Sequence, residues 1–459
     1  MTSRINKNQQ TIKSVMKTKI FAVTALIAFS FSGLSQKKWT LKEAVSYALE
    51  NNITIKQNAL NVASLKEDVV GAKGAFLPNL NASSDANLNF GSTIDPVSNG
   101  RISATNFSSS FGMRSNITVF NGFRLLNSYK SAQLGADKSQ LDLQKIKDDV
   151  SLNVVNSYLN ILFAKENLGV AKVQYEISKN QIEAAQSQVD AGAIPRGDLL
   201  NAKATNANDA QNVISQENTL NLALLQLAQL LQVDPVNFDV VPLSADTPLE
   251  ALMFKSPVSV YKEAVTNRPE ILAAKIGVKQ AEINIDVARS GFMPTLSATA
   301  SAGTNFSHRY TLFQGQSNDY FFQQLSDNFG YGVGLTLSIP IFNRYQNKVN
   351  VNKAIINKEQ NTLSLENAKL SLQQTIQRAF LDAKAAFKSY ESAKVSLEAQ
   401  KEAFRNAQDR FALGAMTLFD FDQVRNRLVA AESALIRSKY DYVFKSKVLQ
   451  FYNGESIVD

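Results

Sequence analysis

The sequence of 459 residues contains no cysteine and a single histidine, His308. Without cysteine the chain has no disulfide, thiolate zinc site, cysteine nucleophile or lipid-modified N-terminal cysteine. One imidazole excludes a clustered histidine metal site, and we expect His308 in a solvated loop because no nucleophile or base pattern surrounds it. A carboxylate hydrolase would need two acids converging in a cleft, and acids pair only on helical faces, where charges are solvated. We therefore predict no catalytic residue, no metal, no cofactor and no enzyme activity.

Glycine and proline are also scarce, at 20 and 10 residues, which favours long helices over a loop-rich fold. Outside the first residues the net charge is small, because basic and acidic residues nearly balance. The formal charge is +8, but five basic residues and no acid precede residue 36, so the remainder carries 43 basic and 40 acidic residues, a charge of +3. Nucleic-acid binding by bulk charge loses its support, and we predict no nucleic-acid partner.

Residues 1–35 have the pattern of a secretory signal peptide. An apolar stretch at 20–32 follows three lysines and precedes small residues, with cleavage expected near Ser35. The stretch is shorter than the roughly 20 residues of a spanning helix. Met16 would also make a conventional start, so Met1 and Met16 both remain possible start sites. No later segment is long and apolar enough to span as a helix, so we predict an exported chain that enters a membrane, if at all, as strands.

Four short sequence motifs occur twice, in the same order, and the two copies of each motif are 216 to 222 residues apart. They are KEAV at 42–45 and 262–265, FLPNLNAS at 76–83 and FMPTLSAT at 292–299, ITVFN at 117–121 and SIPIFN at 338–343, and GAIPRGD at 192–198 and GAMTLFD at 414–420. The offset falls by four residues between the first two pairs, about one helical turn, which predicts a shorter helix in the second copy. We predict a signal peptide (1–35), a first repeat (36–231), a proline-containing linker (232–258) and a second repeat (259–459).

Each copy is predicted to fold as helix, two strands, long helix, reversal and helix. The predicted helices are 41–74, 123–190 and 198–231 in the first copy and 260–289, 344–411 and 420–451 in the second. Apolar positions from Ile376 to Phe411 alternate steps of three and four, with one polar break at Gln400, and the positions 222 residues earlier are apolar or small. This heptad seam is typical of paired helices, and a 67-residue helix would extend about 100 Å.

Apolar and polar residues alternate strictly after Pro78 and after Pro294, and again at 331–341. This period of two residues is typical of a strand with one apolar face. The strand at 109–120 is less regular. Its side chains divide between one face (Met113, Ile117, Val119) and the other (Arg114, Asn116). One such strand would suit a half-buried sheet of a soluble protein. Pairs of strands of about 10 to 13 residues between very long helices suit a tilted crossing of an outer membrane instead, with apolar residues toward lipid.

Aromatic residues near the strand ends are expected in a membrane girdle: Phe90, Phe111, Phe306, Tyr310, Tyr320 and Tyr331. The loops 91–107 and 305–329 are predicted to face outward. Four strands cannot close a barrel, so the chain must oligomerise if it spans. Two copies give eight strands and three give twelve, and the sequence leaves both open.

Taken together, the LKEAVSYALENN segment at 41–52, the FLPNL and FMPTL strand starts, the PIFN turn and the two Gly-to-Asp reversals resemble the TolC-like outer membrane efflux proteins. The resemblance covers essentially the whole mature chain. It implies a mainly α fold with a transmembrane β-barrel contribution: a long α-helical coiled-coil barrel plus four strands per chain, internally duplicated and closed as a trimer. It also implies an outer membrane channel that extends into the periplasm and docks on a periplasmic adaptor and an inner-membrane pump, in drug efflux or type I secretion.

Carried onto this sequence, the resemblance makes Gly192 and Gly414 the turns of the periplasmic tip. It implies exposed adaptor contacts beside them at Ala193, Ile194, Ala415 and Met416. Asp198 and Asp420 would lie at the narrow entrance, and they also suit helix N-caps. Near the entrance the sequence departs from some members, which have tyrosine, arginine and a second acid at positions 411, 416 and 423. Here these positions are Phe411, Met416 and Gln423.

The leading hypothesis is a passive conduit gated at the tip. The alternative is a periplasmic coiled-coil adaptor or tether, which would share the paired helices but gives no reason for four alternating strands. A surface carboxylate hydrolase is a second alternative.

Overall fold

A computed structural model describes residues 38–94, 101–103, 105–242, 256–309 and 320–455. The predicted signal peptide and Tyr310 lie outside these ranges. The chain divides into two compact units. The helical unit takes its described residues from Met1–Ile53, Asp148–Pro257 and Gln377–Asp459, and the sheet unit from Thr54–Lys147 and Val258–Ile376. Each unit draws on both sequence repeats.

Six helices were predicted, and the described residues form nine α-helices. They are α1 (Leu41–Asn51), α2 (Ile53–Gly74), α3 (Arg124–Asp190), α4 (Arg196–Leu231), α5 (Pro257–Asn267), α6 (Pro269–Arg289), α7 (Phe321–Asp327), α8 (Gln346–Ala412) and α9 (Leu418–Tyr452). Among these residues, no helix combines the length and apolar character that crossing a membrane requires.

The first helix of each copy was predicted to be continuous, and it is broken in both. Asn52 separates α1 from α2, and Arg268 separates α5 from α6. In the second copy the break has a clear cause, since Pro269 disfavours helical geometry in the residue before it. Helices α1 and α5 both have 11 residues, and α2 and α6 have 22 and 21, so the second copy is shorter by one residue rather than by the predicted helical turn.

All predicted seam positions, in both copies, are buried or half-buried. Val154, Ile161, Ile376 and Ala383 have no exposed surface at all. The three-and-four spacing therefore identified the side of α3 and α8 that packs against neighbouring helices. The half-buried Gln400 is the polar break predicted in that seam.

The described strands are β1 (Lys38–Trp39), β2 (Asn79–Asn89), β3 (Ser92–Ile94), β4 (Arg101–Ser103), β5 (Asn106–Phe120), β6 (Asp239–Val240), β7 (Thr295–Arg309) and β8 (Gly330–Ser338). Four of them form one antiparallel sheet in the order β2-β5-β7-β8. The antiparallel pair β3–β4 and the helix α7 fall in the two segments predicted as loops. His308 lies within β7, half-buried and stacked on Phe306, so its loop assignment was wrong. Strand β8 ends three residues before the predicted position 341.

The strand register separates an apolar face of the sheet from a polar one. Met113, Ala302 and Tyr331 lie opposite one another across β5, β7 and β8, and they share the apolar face. Arg114 lies opposite Asn81 and Ser301 on the other face. The period-two prediction is thus confirmed.

A bulge between Thr118 and Phe120 changes the alternation at the end of β5. Phe120, rather than its neighbour, lies opposite Leu296 on the apolar face. Val119 was predicted to share the face of Met113, and it lies at the bulge instead. An extra residue of this kind shifts the alternation without any signal in the hydrophobic pattern.

In the helical unit, α3 holds the short parallel pair β1–β6 through two polar side chains. The Tyr158 hydroxyl donates to the Val241 carbonyl (2.6 Å) and lies 3.0 Å from the Trp39 carbonyl. The Lys165 ammonium donates to the Asp239 carboxylate. Burial raises the pKa of Tyr158 to about 12. These bonds give buried backbone carbonyls a partner, which such groups require.

Candidate functional site

The two helix reversals, α3 to α4 and α8 to α9, turn by the same backbone geometry. Gly192 and Gly414 have φ of +72° and +70°, a left-handed conformation that favours glycine. Gly192 N–H donates to Val189 O (2.9 Å) and the next N–H donates to Gln188 O (2.8 Å). The second reversal repeats both bonds, to Phe411 O (3.0 Å) and Arg410 O (2.8 Å). This pattern is the Schellman motif, which satisfies the last carbonyls of a helix.

Four of the six residues predicted at the tip are exposed: Gly192, Ala193, Gly414 and Ala415. Ile194 and Met416 are half-buried, contrary to the expectation of a fully exposed surface. Each packs against the apolar core behind its own reversal. Ile194 contacts the cluster of Ala185, Leu199 and Ala202, and Met416 contacts the cluster described below.

Neither predicted aspartate is a helix N-cap. Pro195 caps α4 without a side-chain bond, and Thr417 caps α9, accepting from Asp420 N–H. Asp198 and Asp420 are the third residues of their helices, where a carboxylate still interacts favourably with the helix dipole. The Asp420 carboxylate accepts from the Thr417 hydroxyl at 2.7 Å, so α9 begins with a side-chain capping pair that α4 lacks.

A groove of about 620 Å³ adjoins the second reversal. Asp420 and the exposed Gln423 line it together with Arg410 and Arg427. The Arg410 guanidinium also donates to the Ala415 carbonyl at 3.5 Å. Two cationic side chains beside Asp420 reduce the negative potential that the aspartate would create alone.

Phe411 belongs to an apolar cluster behind the second reversal rather than to a polar contact. Its ring stacks on Phe421, with centroids 4.9 Å apart and planes at 24°. With the half-buried Met416, it covers buried residues of α8 and α9. The buried members of this cluster are Leu397, Phe404, Ala407, Phe421, Leu428 and Ala431.

Beside this cluster lies a buried arginine that the sequence prediction missed. Arg425 on α9 is 1% exposed. One guanidinium nitrogen, Nη1, lies 3.3 Å from Asp209 Oδ2 on α4 and 3.4 Å from Gln181 Oε1 on α3, while Nε lies 3.7 Å from Asp422 Oδ1. One charged side chain therefore joins three helices.

The buried cluster contains the charges of Arg425, Asp209 and Asp422, and it disfavours the ionised form of Asp422. Burial raises the pKa of Asp422, and the Arg425 charge and the Thr205 hydrogen bond offset only part of that effect. The sequence does contain a signal for the cluster. Arg425 follows Phe421 by four residues and precedes Leu428 by three, so a charge occupies a seam position where helices pack.

The outer membrane efflux protein family matches residues 44–232 and 260–455 of this chain. The chain belongs to this family. It is a protein of the outer membrane, and its family is one of transport proteins. Membership favours the channel over the periplasmic tether and the hydrolase.

Two curated relatives match along most of their length. Outer membrane efflux protein BepC of Brucella suis biovar 1 is 22% identical over 98% of this chain and 92% of its own. Outer membrane protein TolC of Escherichia coli is 24% identical over 93% of this chain and 84% of its own. The crystal structure of the Campylobacter jejuni CmeC outer membrane channel has the same fold, with a TM-score of 0.75 at 21% identity over 91% of this chain and 87% of that one.

Proposed function

We propose that three copies of this chain form a passive efflux channel. A shared barrel crosses the outer membrane, and the helices line an exit duct through the periplasm. Family membership supports export at the outer membrane. An inner-membrane pump, reached through a periplasmic adaptor, supplies the energy, and the channel itself performs no chemistry.

The contrast between the two faces of the sheet carries this proposal. Val333 and Leu335 on the apolar face are 89% and 73% exposed in the single chain. Asp85 and Arg114 lie on the opposite face. A lysine or arginine facing lipid near the bilayer centre costs about 2–4 kcal/mol. The charged face therefore lines a wet interior, and the apolar face contacts lipid.

Strand direction supports closure by several copies. The sheet has two edges, β2 and β8, and three successive antiparallel pairings make these two strands run in opposite directions. Strand β8 of one copy therefore pairs antiparallel with β2 of the next. Open edges in lipid would leave backbone groups unsatisfied. We favour three copies, because side chains fill the interior of an eight-stranded barrel.

The helix reversals form the periplasmic entrance in this proposal. Three copies of Asp420 make an acidic ring that favours cations, with Asp198 beside it. Gln423 and the two arginines of the groove beside the second reversal, Arg410 and Arg427, weaken that preference. The adaptor contacts the tip turns at Gly192, Ala193, Ile194, Gly414, Ala415 and Met416.

In each copy, apolar packing and a buried ion pair hold the helices behind the second reversal together. Phe411 and Met416 replace a tyrosine and an arginine of some members, and both pack on the Phe421 cluster. The ion pair between Arg425 and Asp209 links α9 to α4 within one copy. Opening has to separate these groups or carry them together as one body.

Conductance of the purified protein in planar bilayers tests the proposal. The Asp198→Ala, Asp420→Ala double variant is compared with wild type and with a Glu359→Ala, Glu398→Ala control, which removes two exposed acids from α8. We expect discrete channels in all three proteins, with a weaker cation preference only in the aspartate variant. Identical selectivity in all three would remove both aspartates from the entrance. Failure of every protein to conduct, with wild type also recovered in soluble form, would overturn the barrel.

A further inference from the structure

Helix α7 lies against the apolar face of the sheet, beside the last residues of β7. The Phe321 ring packs edge-on against Phe306, with centroids 4.9 Å apart, and lies 6.5 Å from Phe111. Both partners share the sheet face of Met113 and Ala302, because their positions differ from these by even numbers of residues along the paired strands. The helix therefore covers part of the face that we assign to lipid.

Side-chain amides from this segment continue the hydrogen-bond ladder where β8 stops. Strand β8 pairs with β7 only as far as Gly303. Beyond that point Gln324 accepts from Ser307 N–H (2.9 Å) and donates to Ser307 O (3.0 Å), as a neighbouring strand would. Asn328 donates to Asn305 O at 2.8 Å. This arrangement suits a lipid environment, where an unsatisfied backbone group costs several kilocalories per mole.

Large aromatic side chains of the same segment face away from the sheet. Tyr320 and Phe322 are 88% and 82% exposed, and Tyr331 at the start of β8 is 86% exposed. Phe322 contacts Phe321, which packs on Phe306 of the apolar face, and Tyr331 shares that face with Val333. These aromatic side chains therefore adjoin the surface assigned to lipid. Seven uncharged residues lie between Asp319 and Asp327, the last residue of α7, and an uncharged aromatic surface suits lipid better than a polar protein partner.

We propose that α7 is an interfacial anchor in the outer leaflet of the outer membrane. Tyr320 and Phe322 lie at the boundary between acyl chains and headgroups, where aromatic residues are enriched. The amides of Gln324 and Asn328 seal the edge of β7 from lipid. Helix α8 follows β8 at the other end of the sheet, so the α7 end is the external one. This inference rests on the proposed function, because it requires the apolar face to contact lipid.

Fluorescence quenching by lipid bromine atoms tests the anchor. Trp39 is the single tryptophan and is buried, so Trp39→Phe gives a silent background. Into it we would introduce Phe322→Trp, with Val333→Trp as the control facing lipid and Asn87→Trp as the control on the polar face. If Trp39→Phe fails to fold, the same variants are made with Trp39 retained and the parent signal is subtracted. Vesicles contain phosphatidylcholine brominated either near the glycerol end or near the methyl end of its chains.

We expect tryptophan at 322 to lose more emission to bromine near the glycerol end than near the methyl end, and tryptophan at 87 to lose little to either. Quenching at 333 without quenching at 322 would overturn the anchor and leave the barrel intact. This result, combined with strong quenching at 322 by aqueous iodide, would place the patch in water outside the membrane. Absence of quenching at both 322 and 333 would overturn the orientation of the sheet as well.

Hydrogen exchange tests the edge seal separately. Gln324→Ala removes both bonds to Ser307, and we expect the Ser307 amide to exchange faster in vesicles. Gln323→Ala is the matched control, because its amide reaches Asp327 on the same helix. Equal exchange in the two variants would overturn the sealing role of Gln324.

Discussion

The sheet and the helical unit differ in which side chains they expose: the sheet exposes apolar side chains, and the helical unit buries a charged one. The sheet leaves Val333 89% exposed, whereas the helical unit keeps Arg425 only 1% exposed. In a water-soluble protein both choices would be costly, since apolar surface favours burial and an unpaired buried charge is strongly destabilising.

We attribute the difference to what surrounds each region. In the proposed channel lipid contacts the apolar side of the sheet, so Val333 needs no protein cover. The helical unit stands in water and packs tightly, so Arg425 is tolerated only because Asp209 and Asp422 compensate its charge. Substitutions that reverse one choice at a time test each half of this comparison.

The largest effect is expected from Arg425→Met in the helical unit. It leaves Asp209 and Asp422 without their shared cation, and removing one partner of a buried ion pair costs about 3–5 kcal/mol. Both aspartates keep some solvent contact, so we expect about 3 kcal/mol, at the low end of that range. Thermal unfolding of the detergent-solubilised protein measures the loss.

Two further variants serve as controls for Arg425→Met. Arg405→Met removes an exposed arginine paired with Glu402 and should cost under about 0.5 kcal/mol. Adding Asp209→Asn and Asp422→Asn to Arg425→Met should recover part of the loss. If Arg405→Met costs as much as Arg425→Met, the buried pair does not stabilise the unit.

The next largest effect is expected from Val333→Arg on the apolar face of β8. A charge there meets lipid, and near the bilayer centre such a substitution costs about 2–4 kcal/mol. Thr336→Arg, on the polar face of the same strand, should cost much less. Urea unfolding from vesicles gives both values, and equal losses would contradict the assignment of the two faces.

Periodicity was enough to predict the strands, the long helices and the packed seam. It could not predict three local features, because each depends on contacts between distant segments. The bulge near Val119 appears only when β5 is paired with β7. The extension of β7 to Arg309 follows its pairing with β5, and the helix α7 is joined to β7 by the bonds between Gln324 and Ser307.

The candidate site was predicted less completely than the fold. The reversals at Gly192 and Gly414 follow from local sequence, since each glycine takes the left-handed conformation that ends a helix. The break at Arg268 also had a local signal in Pro269. The Arg425 cluster had only a charge at a seam position, and its partners on α3 and α4 are more than 200 residues away in sequence.

A smaller effect is expected from Tyr158→Phe, which tests a buried hydroxyl in the helical unit. The variant removes the hydrogen bond to the Val241 carbonyl and leaves that carbonyl poorly satisfied. A typical loss is about 1 kcal/mol. Tyr129→Phe is the control, because its exposed hydroxyl bonds only to Gln133 among the contacts described. Chemical denaturation of both variants should show a loss for Tyr158→Phe alone.

The subtlest test compares two acids of the helical unit whose pKa values shift in opposite directions. Burial pushes the pKa of Asp239 up, but hydrogen bonds from Lys165 and the Val240 N–H, with the charges of Lys165 and Lys38, bring it below the usual value. Its stabilisation is therefore present above the unfolded pKa of about 3.9 and is lost as pH falls through the folded pKa.

Asp422 behaves in the opposite sense, because its pKa is raised by burial. Between the unfolded pKa and the higher folded pKa the folded protein binds the extra proton, so this group stabilises the fold as pH falls. Melting temperatures measured across the acid range should therefore fall less steeply toward low pH in Asp239→Asn than in wild type, and more steeply in Asp422→Asn. Shifts of the same sign in both variants would show that the buried cluster around Arg425 does not disfavour the ionised form of Asp422, and that the helical unit accommodates this charge as readily as water does.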